Sequence, residues 1–486
     1  MKNLKYILFG LLSVVSLVSC KKYLDVTPKT QMPQELLFSN EGGFKDALTG
    51  VYIQMNNKNA YGAALTQTTI EQLASSWEVT SNSFGERIGN FNYTDQGVQD
   101  SLANIFAHQY KIIASTNAIL GQIDAKKDVF TTPGLYELIK GEALAIRAYC
   151  HLDILRLFGP VPTATTVGNN LAYVTLLSKN VNNRVSFAAY QTALLKDLND
   201  AEVLLKDIDP ITQYSISQLK NPSAFSGFNP QDTYFAYRYL RMNYYAVKGL
   251  QARAYLWFNN PQKAYESAKV VIDAKNTDAT NKFVLGTSAN FAAKDYVLSS
   301  EHIFGLYDFS MFQKYTERYS SGLYRKGSAA TTITTQLYGN TGTDMRESSL
   351  WELLTLPNSS KAYVLKKYQV QSAQTSGNPS DPDFKQIPML RLSEMYLIVA
   401  ETAAYAEGVE YFRQFRVARN IGQLSLPANA AALQIEILKE YRKEFYAEGQ
   451  GFFAYKRVNA PKPSFLFAPS TATLNYLLPL PYNEAI

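Results

Sequence analysis

The run GEALAIRAYCHLDILRLFGPVP, Gly141 to Pro162, sets the architecture of the chain. Leu138, Ile146, Tyr149, Leu152 and Leu155 recur at spacings of three and four, the period of a helix with one buried face, and predict a helix from about Gly134 to Phe158. Gly159-Pro160 ends it, because glycine is free to take a left-handed turn and proline cannot continue the hydrogen-bond ladder. Upstream, Leu102, Ile105, Phe106, Ile113, Leu120 and Ile123 keep the same period, with Asp100 or Ser101 as the expected cap. Downstream, a helix is expected from about Phe187 to Leu205, stopped by Asp209-Pro210. Tyr239 to Phe258 and Gln262 to Ala274 are separated only by Asn259-Asn260-Pro261, which forces an antiparallel pair. Ala252, Tyr255 and Ala264 fall in this pair at tetratricopeptide-like offsets, yet no clean repeat of roughly 34 residues recurs. Degenerate helical units dispersed along the chain are therefore expected.

Between about Asn276 and Pro388 the helical period fails. Gly, Ser, Thr and Asn increase, β-favouring runs appear at His302 to Tyr307 and Tyr363 to Leu365, and Asn378 to Asp383 is a cluster of turn residues. Irregular stretches of this length inside a folded protein usually carry function. Helices resume at Leu390, with Leu392, Met395, Tyr396, Val399 and Ala403 on one face, and again from about Ala430 to Glu448. The fold class is mostly α: a degenerate tetratricopeptide-type helical scaffold with a large irregular loop and short-strand insertion forming a ligand face.

The N-terminus reads as a secretory signal. Lys2 and Lys5 precede an apolar run from Ile7 to Val18, too short to span a bilayer, and Leu17-Val18-Ser19-Cys20 has the form of a lipoprotein box in which Cys20 takes the lipid. No later segment reaches the roughly 18 apolar residues of a membrane span, so the expected anchor is lipid. With residues 1–19 removed, Cys150 is the only cysteine besides Cys20, which leaves no intramolecular disulfide; its helical context makes it a small buried side chain. The formal charge of +6 falls to about +4 once Lys2 and Lys5 are lost, and no dense basic cluster exists, which argues against a nucleic-acid partner. Thirty-four Tyr against three His give many flat apolar faces with polar tips and few groups that titrate near neutrality.

Catalytic signatures are missing. There is no H-E-x-x-H, C-x-x-C, G-x-S-x-G or phosphate-binding glycine loop, and His108, His151 and His302 are isolated, so no enzyme, cofactor or metal is expected.

Longer strings carry a resemblance. Cys20-Lys21-Lys22-Tyr23-Leu24-Asp25-Val26-Thr27-Pro28, the Gly141 to Pro162 helix, IPMLRLSEMYLIVAETAA (Ile387 to Ala404) and YRKEFYAEGQGFFAYKR (Tyr441 to Arg457) stand in the order found in the SusD/RagB family of outer-membrane lipoproteins, which this chain resembles. The matching positions include Glu142, Arg147, Arg391, Glu394, Glu444, Glu448 and Gly449; read as helix residues, these charges are expected to pair between helices and fix register rather than bind ligand. Lys21 and Lys22 stand where acidic residues would argue for surface display, so an outward orientation is implied by the family alone.

The resemblance implies a signal peptide over 1–19, an N-terminal SusD-like region over 20–225 and a C-terminal RagB/SusD region over 226–486, folded as one compact unit. It also implies a lipid-anchored, outward-facing outer-membrane protein that captures an oligosaccharide and passes it to a SusC-like TonB-dependent transporter. A peptide-capturing relative of RagB and a structural lid without ligand affinity are the competing readings. Two loops are candidates for the ligand face. One runs from Trp77 to Tyr93 with Trp77, Asn82, Arg87, Asn90 and Tyr93; the other runs from Tyr307 to Tyr324 with Tyr307, Phe312, Tyr315, Tyr319 and Tyr324. Trp77 is the leading single candidate, because its polar surroundings give no local reason for a core tryptophan.

Overall fold

The computed structural model describes residues 33–222, 228, 230, 232–370 and 382–484. The signal segment, Cys20 and the 378–381 part of the turn cluster lie outside the described residues.

Six longer helices build the first part: α1 (Glu41–Met55), α2 (Gln96–Ile123), α3 (Leu135–Phe158), α4 (Phe187–Leu205), α5 (Tyr244–Trp257) and α6 (Pro261–Ile272). Consecutive helices pack as hairpins, α2 on α3, α3 on α4 and α5 on α6. The expected α4 is observed residue for residue, with Ser186 accepting from the Ala189 N–H as its cap. α2 starts five residues earlier than a cap at Asp100 would place it, because the cap is Asp95, which accepts from the Val98 N–H. α3 ends at Gly159, but the glycine is extended at φ −79° rather than left-handed. A Cβ there would sit 2.6 Å from the Leu155 carbonyl oxygen, so close approach, not chirality, demands glycine.

α3 is the axis of the core. From Gly141 to Phe158 every residue is buried, which matches a helix apolar on all sides and surrounded by others. Its buried charges are paired, Asp153 with Arg156 within the helix and others with neighbouring elements. Arg147 bonds Asp197 of α4 at 2.7 Å, and Glu142 pairs with Arg238. Cys150 is buried, and His151 sits between the Tyr190 hydroxyl and the Val174 carbonyl.

The irregular region contains β1 (His302–Tyr307), β2 (Trp351–Thr355), β3 (Lys361–Leu365) and β4 (Gln386–Arg391). β1 and β4 pair antiparallel, as do β2 and β3; β1 is the run expected at His302 to Tyr307, β3 contains the one expected at Tyr363 to Leu365, and β2 and β4 are their unanticipated partners. Met311–Tyr315 is helical and continues as a π-turn over Thr316–Ser320, so the aromatic stretch does possess local order. The last part is α7 (Leu392–Thr402), α8 (Tyr405–Ala418), α9 (Ala430–Glu444) and α10 (Gln450–Arg457). α7 packs back on α6, and one hydrophobic cluster runs from Phe38 to Leu478.

Under this scaffold lies a network of buried charges. Arg391 at the end of β4 bonds Glu301, Glu444 and Glu448 at 3.0, 2.7 and 2.9 Å. Arg419 and Arg346 both reach Glu444 as well, at 2.8 and 2.9 Å. Glu394 pairs with Arg253 of α5 at 2.6 Å rather than with nearby Arg391. The charges in the recognisable strings thus join elements far apart in sequence.

Candidate functional site

The two candidate loops meet. The Glu78 N–H donates to the Arg325 carbonyl at 2.9 Å, the Arg325 guanidinium holds the Glu78 carboxylate at 3.1 Å, and Lys326 donates to the Ser76 carbonyl at 3.0 Å. Lys326 also lies 3.2 Å above the Phe467 ring; burial there pulls its ammonium down to about 7.

The convergence places Trp77 inside. It is 2% exposed, donates Nε1–H to the Gln67 carbonyl at 2.9 Å, and touches Tyr319, Tyr324 and Tyr446 with ring centroids 5.8, 5.7 and 5.1 Å away. No face of the indole is open to a sugar. The expectation that nothing required a core tryptophan here is corrected by these partners, two of which come from the second loop and one from the turn after α9.

Arg87, Asn90 and Tyr93 are also occupied within the chain, whereas Asn82 is exposed and engaged with other described residues only through its backbone. Ser83 caps a short helix, Phe84–Gly89, over which Arg87 donates to the Asn82 carbonyl and approaches Asp95 at 3.1 Å. The Asn90 side chain accepts from Thr471, and the Tyr93 hydroxyl donates to the Asn475 carbonyl. Asn90 and Tyr93 therefore buttress the C-terminal segment, while Arg87 ties the loop to itself. In the second loop Tyr315 and Tyr319 are buried, Tyr324 is half-buried, and Tyr307 and Phe312 are 41% and 45% exposed, with Phe309 at 80%.

Beside the buried aromatic wedge opens a cleft of about 530 Å³. Tyr324 and Leu323 supply its apolar wall; Asn59, Thr68, Ser101 and Asn104 supply hydroxyl and amide groups; Lys58, Asp100, Glu317 and Arg318 bring two charges of each sign. Arg318 is fixed by the Gly62 carbonyl at 2.9 Å and the Gln67 side chain at 2.8 Å, which also accepts from the Tyr319 hydroxyl. Of the ten expected binding residues only Tyr324 lines this cleft. Asp100, Ser101 and Asn104 were legible as polar positions at the start of a helix, but nothing in the sequence marked that helix face as facing Tyr324. Tyr307 and Phe312 do not line it; Asn56, which caps the end of α1, donates to the Tyr307 carbonyl at 3.2 Å.

No group of His, Cys, Asp and Glu among the described residues could hold a metal, and no described helix is long and apolar enough to cross a membrane. The described site is thus a polar cleft with an aromatic wall on a rigid helical scaffold. That combination is a helical scaffold carrying an open polar cleft.

The chain belongs to the SusD/RagB family: residues 22–219 match the family model described as starch-binding associating with outer membrane, and residues 248–484 match the SusD family model. It is 23% identical to the SusD-like protein P2 of Formosa agariphila over 99% of this chain and 97% of the relative. A SusD homologue from Bacteroides thetaiotaomicron superposes with a TM-score of 0.67 at 17% identity, covering 94% of this chain and 97% of that one. A laminarin-binding SusD-like protein superposes with a TM-score of 0.62 at 16% identity, covering 92% and 97%.

Proposed function

We propose that this chain is a glycan-binding lipoprotein of the outer membrane, anchored through Cys20 and facing outward, which captures an oligosaccharide and delivers it to a SusC-like TonB-dependent transporter. The observation that carries the reading is the cleft beside Tyr324. Sugar rings present apolar C–H faces that an aromatic wall covers, and their hydroxyls need donors and acceptors in close alternation, which Asn59, Thr68, Ser101, Asn104 and Arg318 offer. Equal numbers of cationic and anionic side chains around it favour a neutral glycan over a sulfated or uronic one. Family membership supports the same assignment, and the laminarin-binding relative makes β-glucan a sensible first ligand to try.

The test is calorimetric titration of the mature protein with a panel of neutral, acidic and sulfated oligosaccharides and of peptides. Binding of a neutral glycan that weakens in Tyr324→Ala is the expected result. Binding of peptides alone would replace the glycan reading with peptide capture. Palmitate labelling of wild type and Cys20→Ala in cells tests the anchor, and co-purification of an outer-membrane barrel with the wild-type protein tests the transporter.

A further inference from the structure

A second and larger cleft, about 740 Å³, opens on the other flank of α2. Its floor is made by Phe106 and Tyr110, whose rings pack at 4.8 Å between centroids, with the Tyr110 hydroxyl pinned to the Ala172 carbonyl at 3.0 Å. Its rim is the run Asn180-Val181-Asn182-Asn183-Arg184, faced across the opening by Asn483 and Glu484. Asn182 and Asn183 are exposed, and neither side-chain amide bonds another described residue. Unengaged amides over an aromatic floor, with one cation balanced by one anion, repeat the chemistry of the first cleft without sharing a residue with it.

The two clefts lie on either side of one helix, α2. On a helix turning 100° per residue, Ser101 and Ile105 lie on one flank of α2 and Phe106 and Tyr110 on the other, with exposed Ala107 and half-buried Ala103 on the ridge between. A rise of 1.5 Å per residue and a helix width of about 10–12 Å put Ser101 and Tyr110 roughly 17 Å apart. Alanine at these two positions keeps that part of the ridge low, with exposed Asn104 and Lys111 beside it.

We propose that the second cleft is a further glycan subsite, and that one polysaccharide chain of several sugar units occupies both clefts by crossing α2 over Ala103 and Ala107. This rests on the reading of the first cleft as a neutral-glycan site. Two weak subsites engaging one chain gain by effective concentration, so affinity should rise with chain length and the complex should stay one-to-one.

The experiment titrates wild type, Tyr324→Ala and the double variant Asn182→Ala/Asn183→Ala with length-graded fragments of laminarin, xylan, mannan and starch, each protein checked by thermal melting. The expected result has wild type binding long fragments of one glycan at least about tenfold tighter than short ones. The double variant should lose that gain while keeping wild-type affinity for short fragments and an unchanged melting temperature. A length-dependent gain that survives in the double variant, or affinity independent of length in wild type, would overturn the second subsite while leaving the first cleft's role intact. Failure of wild type to bind any fragment overturns the glycan reading and this proposal with it.

Discussion

Trp77 and Tyr324 touch each other but have opposite roles, and substitution separates them. Trp77 is enclosed by Tyr319, Tyr324 and Tyr446, so Trp77→Ala should leave a cavity and cost about 3–5 kcal/mol of stability, read as a fall in melting temperature. Ligand affinity of the folded fraction should stay near wild type. Tyr324 is half-buried and lines the cleft, so Tyr324→Ala should weaken binding by about tenfold or more, which is at least 1.4 kcal/mol, with a smaller change in melting temperature. A Trp77 variant that melts normally but no longer binds would return the site to the indole. The sequence could not separate the two residues. The polar surroundings of Trp77, Ser75-Ser76 before it and Glu78 after, resemble those of a surface loop, while the rings that bury it come from positions 319, 324 and 446. Burial that depends on three distant aromatics leaves no local periodicity to read.

At the scale of elements, helices were legible and their connections were not. α3 and α4 follow from apolar spacing and caps, because these are contacts within one element or with a neutral core. The pairing of charges was expected between helices, and so it is, but the partners of Arg147, Glu142 and Glu394 are Asp197, Arg238 and Arg253, fixed only by how the hairpins stack. Arg391 shows what that stacking demands. It ends β4, begins α7 and holds Glu301, Glu444 and Glu448, all buried. Arg391→Ala leaves buried carboxylates with less compensation and should cost about 3–5 kcal/mol, whereas the exposed Arg413 and Glu410 pair within one turn of α8 and Arg413→Ala should not shift the melting temperature measurably. Equal melting temperatures for the two variants would show that the network is no more than a set of weak pairs. The strands of the irregular region were only half visible, since β1 and β4 lie about eighty residues apart and α5 packs on both.

Over the whole molecule, the unusual cost is that of lysines buried without an adequate counter-charge, and it makes stability fall with falling pH, as in ordinary acid unfolding, but already in the neutral to mildly alkaline range. Lys326 in the loop convergence and Lys456 in α10 are both pulled from 10.5 down to about 7 by burial. Lys456 has only the Leu157 and Gly159 carbonyls, at 2.7 and 2.9 Å, to receive its protons. In the unfolded chain both amines return to the ordinary lysine range, so between pH 7 and 9 the unfolded state binds more protons than the folded one. Stability therefore rises with pH through that window and is lost as pH falls through 7, by up to about 1.4 kcal/mol per pH unit for each lysine. The rise should stop near pH 9 to 10, where Cys150 and the buried Tyr319, Tyr368 and Tyr446, all shifted upward by burial, begin to ionise only in the unfolded state. Denaturant melts at pH 7, 8 and 9 should show increasing midpoints, and Lys326→Met and Lys456→Met should each remove part of the slope rather than merely lower every midpoint. A wild-type profile that is flat or falls over this range would mean that water reaches both ammonium groups in the folded protein, and that the loop convergence around Trp77 is looser than its hydrogen bonds imply.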